Sequence, residues 1–450
     1  MSRIRIIITI IVVVLTTLLT GCTGKEPNEI AYVVALGIDS TDDDNYKITI
    51  QYANTTQISG GASESGGKAG SEIVDNVTIE APNIYAGVGL ANNIVSKSFS
   101  MSHAKLIVFS KEIAEKGVKD MIETLVRSEE IRPDVFIAVA NTTANDYLTS
   151  VNPEMEVNPA QYYQLIYQKN QLVGIPDGQL REFFTGLYTD NYDSILPVAG
   201  VIEGAGGNSQ NDDKGQSKDG QNEGSEGSSE SLDSFESKSS DDKDENEKEK
   251  DAEKNTSKYE YDIKNYVGGE TAIEKKNKAE AIGAAVFEKD KMVGELGEVE
   301  TEICKMLKGD YTYSYLTYYN NDTPDIPITV KTTQQKKPKY KIDTDKKTVD
   351  IELYIESDLY SLPADYNVEN KIEDFERDVA NYTSSACTEF INNFTKKYNS
   401  DILKLNEKVK YKFLTNNQYN WFKKNVGWSE YKFSVCTNFK VRRTGLIVRE

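Results

Sequence analysis

Residues 30–52 read IAYVVALGIDSTDDDNYKITIQY, and this stretch carries the first decision about the fold. Ile30 to Ile38 is an apolar run of strand length. Asp42-Asp43-Asp44-Asn45 has the composition of a turn. From Tyr46 to Tyr52 the pattern alternates, which places Tyr46, Ile48, Ile50 and Tyr52 on one face of a half-exposed strand paired to the first. A hairpin therefore opens the folded part of the chain.

Toward the C-terminus, helices begin to alternate with strands. Ile84 to Val95 reads as a helix approached through Pro82. Lys105 to Phe109 (KLIVF) is a short buried strand. Val118, Met121, Ile122, Leu125 and Val126 recur at helical spacing and predict one amphipathic helix over 112–130. Asp134 to Ala140 (DVFIAVA) returns as strand. This alternation defines the fold class as α/β (α+β), a sheet covered by helices.

The pattern stops at Glu203. Between Glu203 and Asp262 there are nineteen acids and eight bases, a net of −11, in a chain whose formal charge is −20. Large apolar side chains are scarce there, so burial cannot offset the entropy of ordering, and the segment is expected to be a disordered insert or linker. A shorter Gly/Ser-rich run, SGGASESGGKAGSE at 59–72, is expected to be a flexible loop.

Beyond the insert, Ala281–Phe287 (AIGAAVF) and Lys291–Leu296 flank Lys289-Asp290 as a hairpin around its turn. Lys347–Tyr354 (KTVDIELY) alternates as a strand. Ile372, Phe375, Val379, Ala386, Phe390, Ile391 and Phe394 trace a long amphipathic helix within 369–397, and Tyr431–Val441 closes as a strand. The whole segment after the insert reads as a sheet packed under that helix.

The N-terminus carries a different kind of signal. Arg3 and Arg5 precede an apolar run over residues 6–19, and Leu19-Thr20-Gly21-Cys22 follows at once. A basic start, an apolar core and small residues before a cysteine form a lipoprotein signal peptide over 1–21. The run is short for a spanning helix, which needs about 20 apolar residues. Cleavage would leave Cys22 as the lipidation site, bearing covalent diacylglycerol and an N-acyl chain, and two such signals suffice for stable anchoring.

Charge and composition exclude other classes. The acidic balance argues against nucleic-acid binding, which needs a basic footprint. It also argues against electrostatic docking on anionic lipid headgroups, so the membrane anchor is expected to be covalent. Cys304, Cys387 and Cys436 are too few and too widely spaced for a disulfide framework or a zinc cage. They are expected to be small buried hydrophobes.

No catalytic constellation emerges, and the chain reads as not an enzyme. His103 is the only histidine, so any Ser-His-Asp arrangement or histidine metal site would pass through it. Ser102 would point away from it on a strand. A phosphate-loop reading of Gly61 to Ala69 fails because Ala69 stands where the magnesium-binding hydroxyl is needed. Arg127, Glu129, Glu130 and Arg132 form a charged cluster at a helix end, ordinarily a solvated or ion-paired terminus. No cofactor or metal site is expected.

These segments, in this order, resemble the Ger(x)C family, the lipoprotein C subunits of spore nutrient germinant receptors. The resemblance rests on Asn28–Asp39 (NEIAYVVALGID), His103–Val108 (HAKLIV), and Ile113–Gly117 running into Arg127–Arg132 (RSEEIR). It continues with Ala285–Leu296 and Glu300–Glu302, and ends in the aromatic-rich Trp421–Ile447 segment. Two features depart from the family pattern: Thr23-Gly24 follows the lipid cysteine where relatives usually have Trp-Asp, and the acidic insert is unusual.

The resemblance implies three α/β domains: 23–197, a middle domain 198–305 containing linker 203–262, and 306–450 with the long helix. It also implies a non-catalytic receptor component lipid-anchored to the outer face of the spore inner membrane, with A-type and B-type membrane subunits as partners. His103, Arg127, Glu129, Glu130 and Arg132 then become candidates for a structural clamp or a subunit contact. The rival is a solute-binding lipoprotein delivering a small ligand to a transporter, with a cleft at the strand ends.

Overall fold

The computed structural model describes residues 3–9, 29–43, 45–54, 73–153, 156, 158–168, 174–189, 191–202, 266–271, 277–320, 323–361 and 371–444. Cys22, most of the apolar leader, the 59–72 run and the acidic insert 203–262 lie outside the described residues.

A nine-stranded mixed sheet dominates. Its strands are β1 (Ile30–Ser40), β2 (Tyr46–Ala53), β3 (Val74–Ala81), β4 (Ser98–Ser100), β5 (Leu106–Ser110), β6 (Phe136–Ala140), β7 (Ile195–Val201), β8 (Ala279–Glu288) and β9 (Lys291–Leu296). The order across the sheet is β3-β2-β1-β5-β6-β7-β8-β9, with β4 beside the start of β1. The expected hairpin is present, with Ser40 opposite Tyr46 and Ile38 opposite Ile48.

Strands β1, β5, β6 and β7 run parallel, so all four begin at one end of the sheet. Every residue of β5 and β6 is buried, as a parallel sheet covered on both faces requires. The helices are α1 (Ile84–Ala91), α2 (Lys111–Lys116), α3 (Lys119–Val126), α4 (Ala144–Ser150), α5 (Pro159–Gln168) and α6 (Leu180–Thr189).

Two local expectations change. The centre of β2 is buried on both faces, Thr49 and Gln51 included. The second face is covered because Gln51 Nε2 donates to Leu148 O of α4 at 2.8 Å and Tyr163 of α5 donates to Gln51 Oε1 at 2.5 Å. The predicted helix over 112–130 is two helices. Gly117, at φ 123°, breaks it in a conformation that an L side chain would resist.

The segment after the insert divides between two sheets. Hairpin β8–β9 turns at Lys289-Asp290 as expected, yet β8 pairs antiparallel with β7 and so extends the first sheet instead of the C-terminal one. Sequence position gave no hint of this, because pairing partners are chosen across the insert. The expected 197/198 domain boundary falls inside β7. Helix α7 (Glu298–Lys308) follows, with Gly309 closing it at φ 83° in the left-handed conformation.

The second sheet has five strands: β10 (Tyr313–Asn320), β11 (Thr323–Gln334), β12 (Lys339–Asp343), β13 (Thr348–Ser361) and β14 (Lys432–Arg443). Long β13 takes β12 and β11 along one side and parallel β14 along the other. Helix α8 (Ile372–Lys397) lies against β14 and buries Phe375, Val379, Cys387, Phe390, Ile391 and Phe394. Short helices α9 (Leu405–Val409) and α10 (Asn416–Asn425) lie between α8 and β14 in the chain. The protein is thus a mixed α/β fold built on two sheets.

Candidate functional site

Ser102 and His103 lie in a tight turn between β4 and β5, not on a strand. Their side chains therefore meet, with Ser102 Oγ 3.0 Å from His103 Nδ1. The imidazole stands edge-on to Tyr32 of β1, ring centroids 4.8 Å apart. Ser102 Oγ is also 2.9 Å from Ser100 Oγ. No carboxylate is hydrogen-bonded to this imidazole among the described residues, so its contacts are those of a packed surface histidine.

The charged cluster separates into parts. Helix α3 ends at Val126, and Arg127 points back to Glu123 at 3.4 Å, one turn earlier. Glu130 turns the other way, and its Oε2 accepts the Met101 amide at 2.6 Å. The structure therefore ties the 128–131 turn to the His103 turn through Glu130. Glu129 and Arg132 are exposed beside them. All of these residues sit at the end of the first sheet where its parallel strands begin.

The opposite end, where parallel sheets usually bind ligands, is filled by the protein's own caps. Asp39, at the end of β1, is buried and accepts the Ala144 and Asn145 amides at 2.7 and 3.0 Å. Burial raises its carboxyl pKa, against the pull of those two donors. Ser110 caps α2, Thr143 caps α4, and Asn141 bonds Gly268 O and Val201 N.

A third arrangement joins the first sheet to the helical segment that follows α8. Asp193, just before β7, accepts the Lys289 amide through Oδ1 and the Asp401 amide through Oδ2, both at 2.8 Å, and its own amide donates to Asp401 O. Asp401 in turn accepts the Leu405 and Asn406 amides at 2.8 Å. Burial pushes the Asp401 carboxyl up to about 7.

Nearby, Ser400 donates to Phe287 O, Asn399 bonds Glu288, and Lys404 pairs with Glu182 while lying over the Tyr192 ring. Beside this junction is a polar cavity of about 540 Å³, lined in part by Lys289, Asn399, Lys423 and Trp428. No sequence signal marked Asp193 or Asp401, because isolated aspartates in turn-like stretches are common and their pairing spans 208 positions.

Cys304 and Cys387 are buried free thiols, with pKa values pushed up to about 11 and about 12 by burial. Cys436 is exposed instead of buried, because strand alternation turns it to the outer face of β14. Among the described residues no group of side chains is placed to hold a metal ion, and no helix is long and apolar enough to cross a membrane.

The sequence profile described as the spore germination protein N-terminal domain matches residues 24–201, and the spore germination B3/GerAC-like C-terminal profile matches 282–445. The chain belongs to the Ger(x)C family. The two matches flank the acidic insert and account for both sheets.

Related proteins of this family include spore germination protein KC of Bacillus subtilis (strain 168), 26% identical over 176 residues, covering 36% of this chain and 43% of that protein. Another is the putative spore germination protein YfkR of the same organism, 28% identical over 145 residues, covering 32% of this chain and 37% of the relative. The aligned part thus spans less than half the length of these relatives. The crystal structure of the GerBC protein superposes with a TM-score of 0.48 at 15% identity, over 90% of this chain and 96% of that one.

Proposed function

We propose that this chain is the lipid-anchored, non-catalytic C-type subunit of a spore nutrient germinant receptor. It would sit at the outer face of the spore inner membrane and act in receptor assembly and signalling by contact with A-type and B-type membrane subunits. The observation that carries the reading is the pair of family matches, in order, across the mature chain.

The lipoprotein box ending at Cys22 supports the anchor. The capping that fills the carboxyl ends of β1, β5 and β6 supports a contact role over the solute-binding alternative, which needs an open crevice there. His103, Glu130 and the exposed Arg127, Glu129 and Arg132 form the surface assigned to subunit contact.

The test is isolation from spore inner membrane with an affinity tag, together with metabolic lipid labelling. Co-purification with multi-spanning subunits and loss of label in Cys22→Ala are expected. Recovery as a lone, unlabelled protein would sink the reading.

A further inference from the structure

We infer that the lysine-rich segment from Lys404 to Lys424 docks directly on an anionic phospholipid surface, as a second membrane contact beside the acyl chains. The chain carries a formal charge of −20, yet this segment holds six lysines and one acid, Glu407. The average acidity of the protein therefore hides a local patch of opposite sign.

The same segment exposes apolar surface. Leu414 is 94% exposed, Tyr411 78% and Trp421 65%, and the first two are the most exposed large apolar side chains among the described residues. Lys410, Lys412 and Lys424 of the same segment are exposed as well. A shallow groove in this segment is lined by Glu407, Lys410, Tyr411, Phe413, Leu414 and Tyr419. Tryptophan and tyrosine favour the headgroup level of a bilayer, and lysines near it are drawn to anionic lipid. Interleaved aromatic, aliphatic and lysine side chains match that boundary, where apolar stems lie flat and ammonium heads reach phosphate.

The topology puts this patch where an anchor would need it. Tyr419 bonds Asn191 at 3.0 Å, and Lys423 bonds Asn191 at 3.1 Å and Thr189 O at 3.4 Å. These residues precede β7, at the end of the sheet where β1 also begins. Three strand spacings of about 4.8 Å separate β1 from β7. The stretch from Cys22 to Ile30, fully extended, reaches about 29 Å at most. A tether of that length lets acyl chains on Cys22 and the lysine patch meet one bilayer plane. Leu90 and Ile94, exposed at the same end, add apolar surface there.

This inference rests on the proposed lipidation for its geometry, and the experiment separates the two. The acylated full-length protein is mixed with vesicles of phosphatidylcholine alone, or of phosphatidylcholine with phosphatidylglycerol, carrying brominated acyl chains that quench tryptophan on contact. Trp421→Phe leaves buried Trp428 as the background. Flotation reads anchoring, and Trp421-dependent quenching reads docking.

The expected result is flotation with both vesicles but several-fold stronger quenching with phosphatidylglycerol. In Lys410→Glu/Lys424→Glu that several-fold excess is lost and quenching on phosphatidylglycerol falls to the phosphatidylcholine level, while near-ultraviolet circular dichroism stays unchanged. Flotation without Trp421-dependent quenching would overturn the docking and leave the anchor standing. Flotation only on phosphatidylglycerol, lost in the lysine variant, would support the docking and overturn the anchor. Quenching equal on both vesicles, or seen only after multi-spanning subunits are added, would overturn lipid docking, the latter in favour of a protein interface. No flotation on either vesicle overturns both.

Discussion

Asn392 of α8 and Phe433 of β14 exchange two hydrogen bonds: Asn392 Nδ2 donates to Phe433 O at 3.0 Å, and the Phe433 amide donates to Asn392 Oδ1 at 3.1 Å. The pattern repeats along the helix. Thr388 accepts the Val435 amide at 3.0 Å, Ser384 accepts the Thr437 amide at 2.9 Å, and Glu376 accepts the Val441 amide at 2.8 Å. Four residues of helix rise about 6 Å and two residues of strand about 6.6 Å, so the two periods stay in step. An edge strand that would otherwise present unpaired amides is closed by side chains.

Asn392→Ala leaves two backbone groups of β14 without partners. The expected loss is about 2–4 kcal/mol of unfolding free energy, read by chemical denaturation. Thr388→Val, which keeps the shape and removes one acceptor, should cost less. A stability unchanged within error in Asn392→Ala would show that water satisfies this edge.

Asp193 fastens the first sheet to the segment after α8. In Asp193→Ala the Lys289 and Asp401 amides lose a charged acceptor, and the expected cost is about 2–4 kcal/mol. Differential scanning calorimetry should also show less cooperative unfolding, since the bonds removed bridge the two sheets' substructures. A single transition at the original temperature would contradict the role given to this residue.

Glu130 holds the His103 turn through the Met101 amide. Glu130→Ala should speed hydrogen exchange at Met101 and shift the His103 ring resonances, with global stability reduced by about 1–2 kcal/mol. Glu130→Gln keeps an acceptor and should largely restore protection. Unchanged exchange in the alanine variant would uncouple the two turns.

Two groups on α7 make stability depend on pH in opposite directions. Burial pushes Glu302 up to about 7 from 4.5, so its contribution is present below 4.5 and lost as pH rises through 7. Burial pushes Lys305, which donates to Ile175 O at 3.0 Å, down to about 8 from 10.5. Its contribution is present above 10.5 and lost as pH falls through 8. Glu302→Gln should therefore flatten the stability profile between pH 4.5 and 7, and Lys305→Met between 8 and 10.5. Urea titrations across pH check this, and slopes identical to the wild type would refute both assignments.

Much of the secondary structure was legible because hydrophobic period is a local property. The β1–β2 hairpin, the β8–β9 hairpin around Lys289-Asp290 and the long helix at 372–397 were each read close to their observed bounds. The split at Gly117 was missed because apolar spacing continues across it, and only its left-handed backbone reveals the break. Of the candidate contact residues, the sequence showed that charges cluster near Arg127. It did not show that Glu130 turns toward Met101 while Arg127 turns toward Glu123.

By itself the sequence determined most of the strand and helix segments and the family, since each is written in the order and spacing of neighbouring residues. Only the tertiary structure decided that β8 joins β7, that Ser384, Thr388 and Asn392 close a strand edge, and that Asp193 clasps Asp401. A polar residue at four-residue spacing has the same local signature whether it faces water or a backbone amide. Its partner is chosen by packing between segments far apart in the chain.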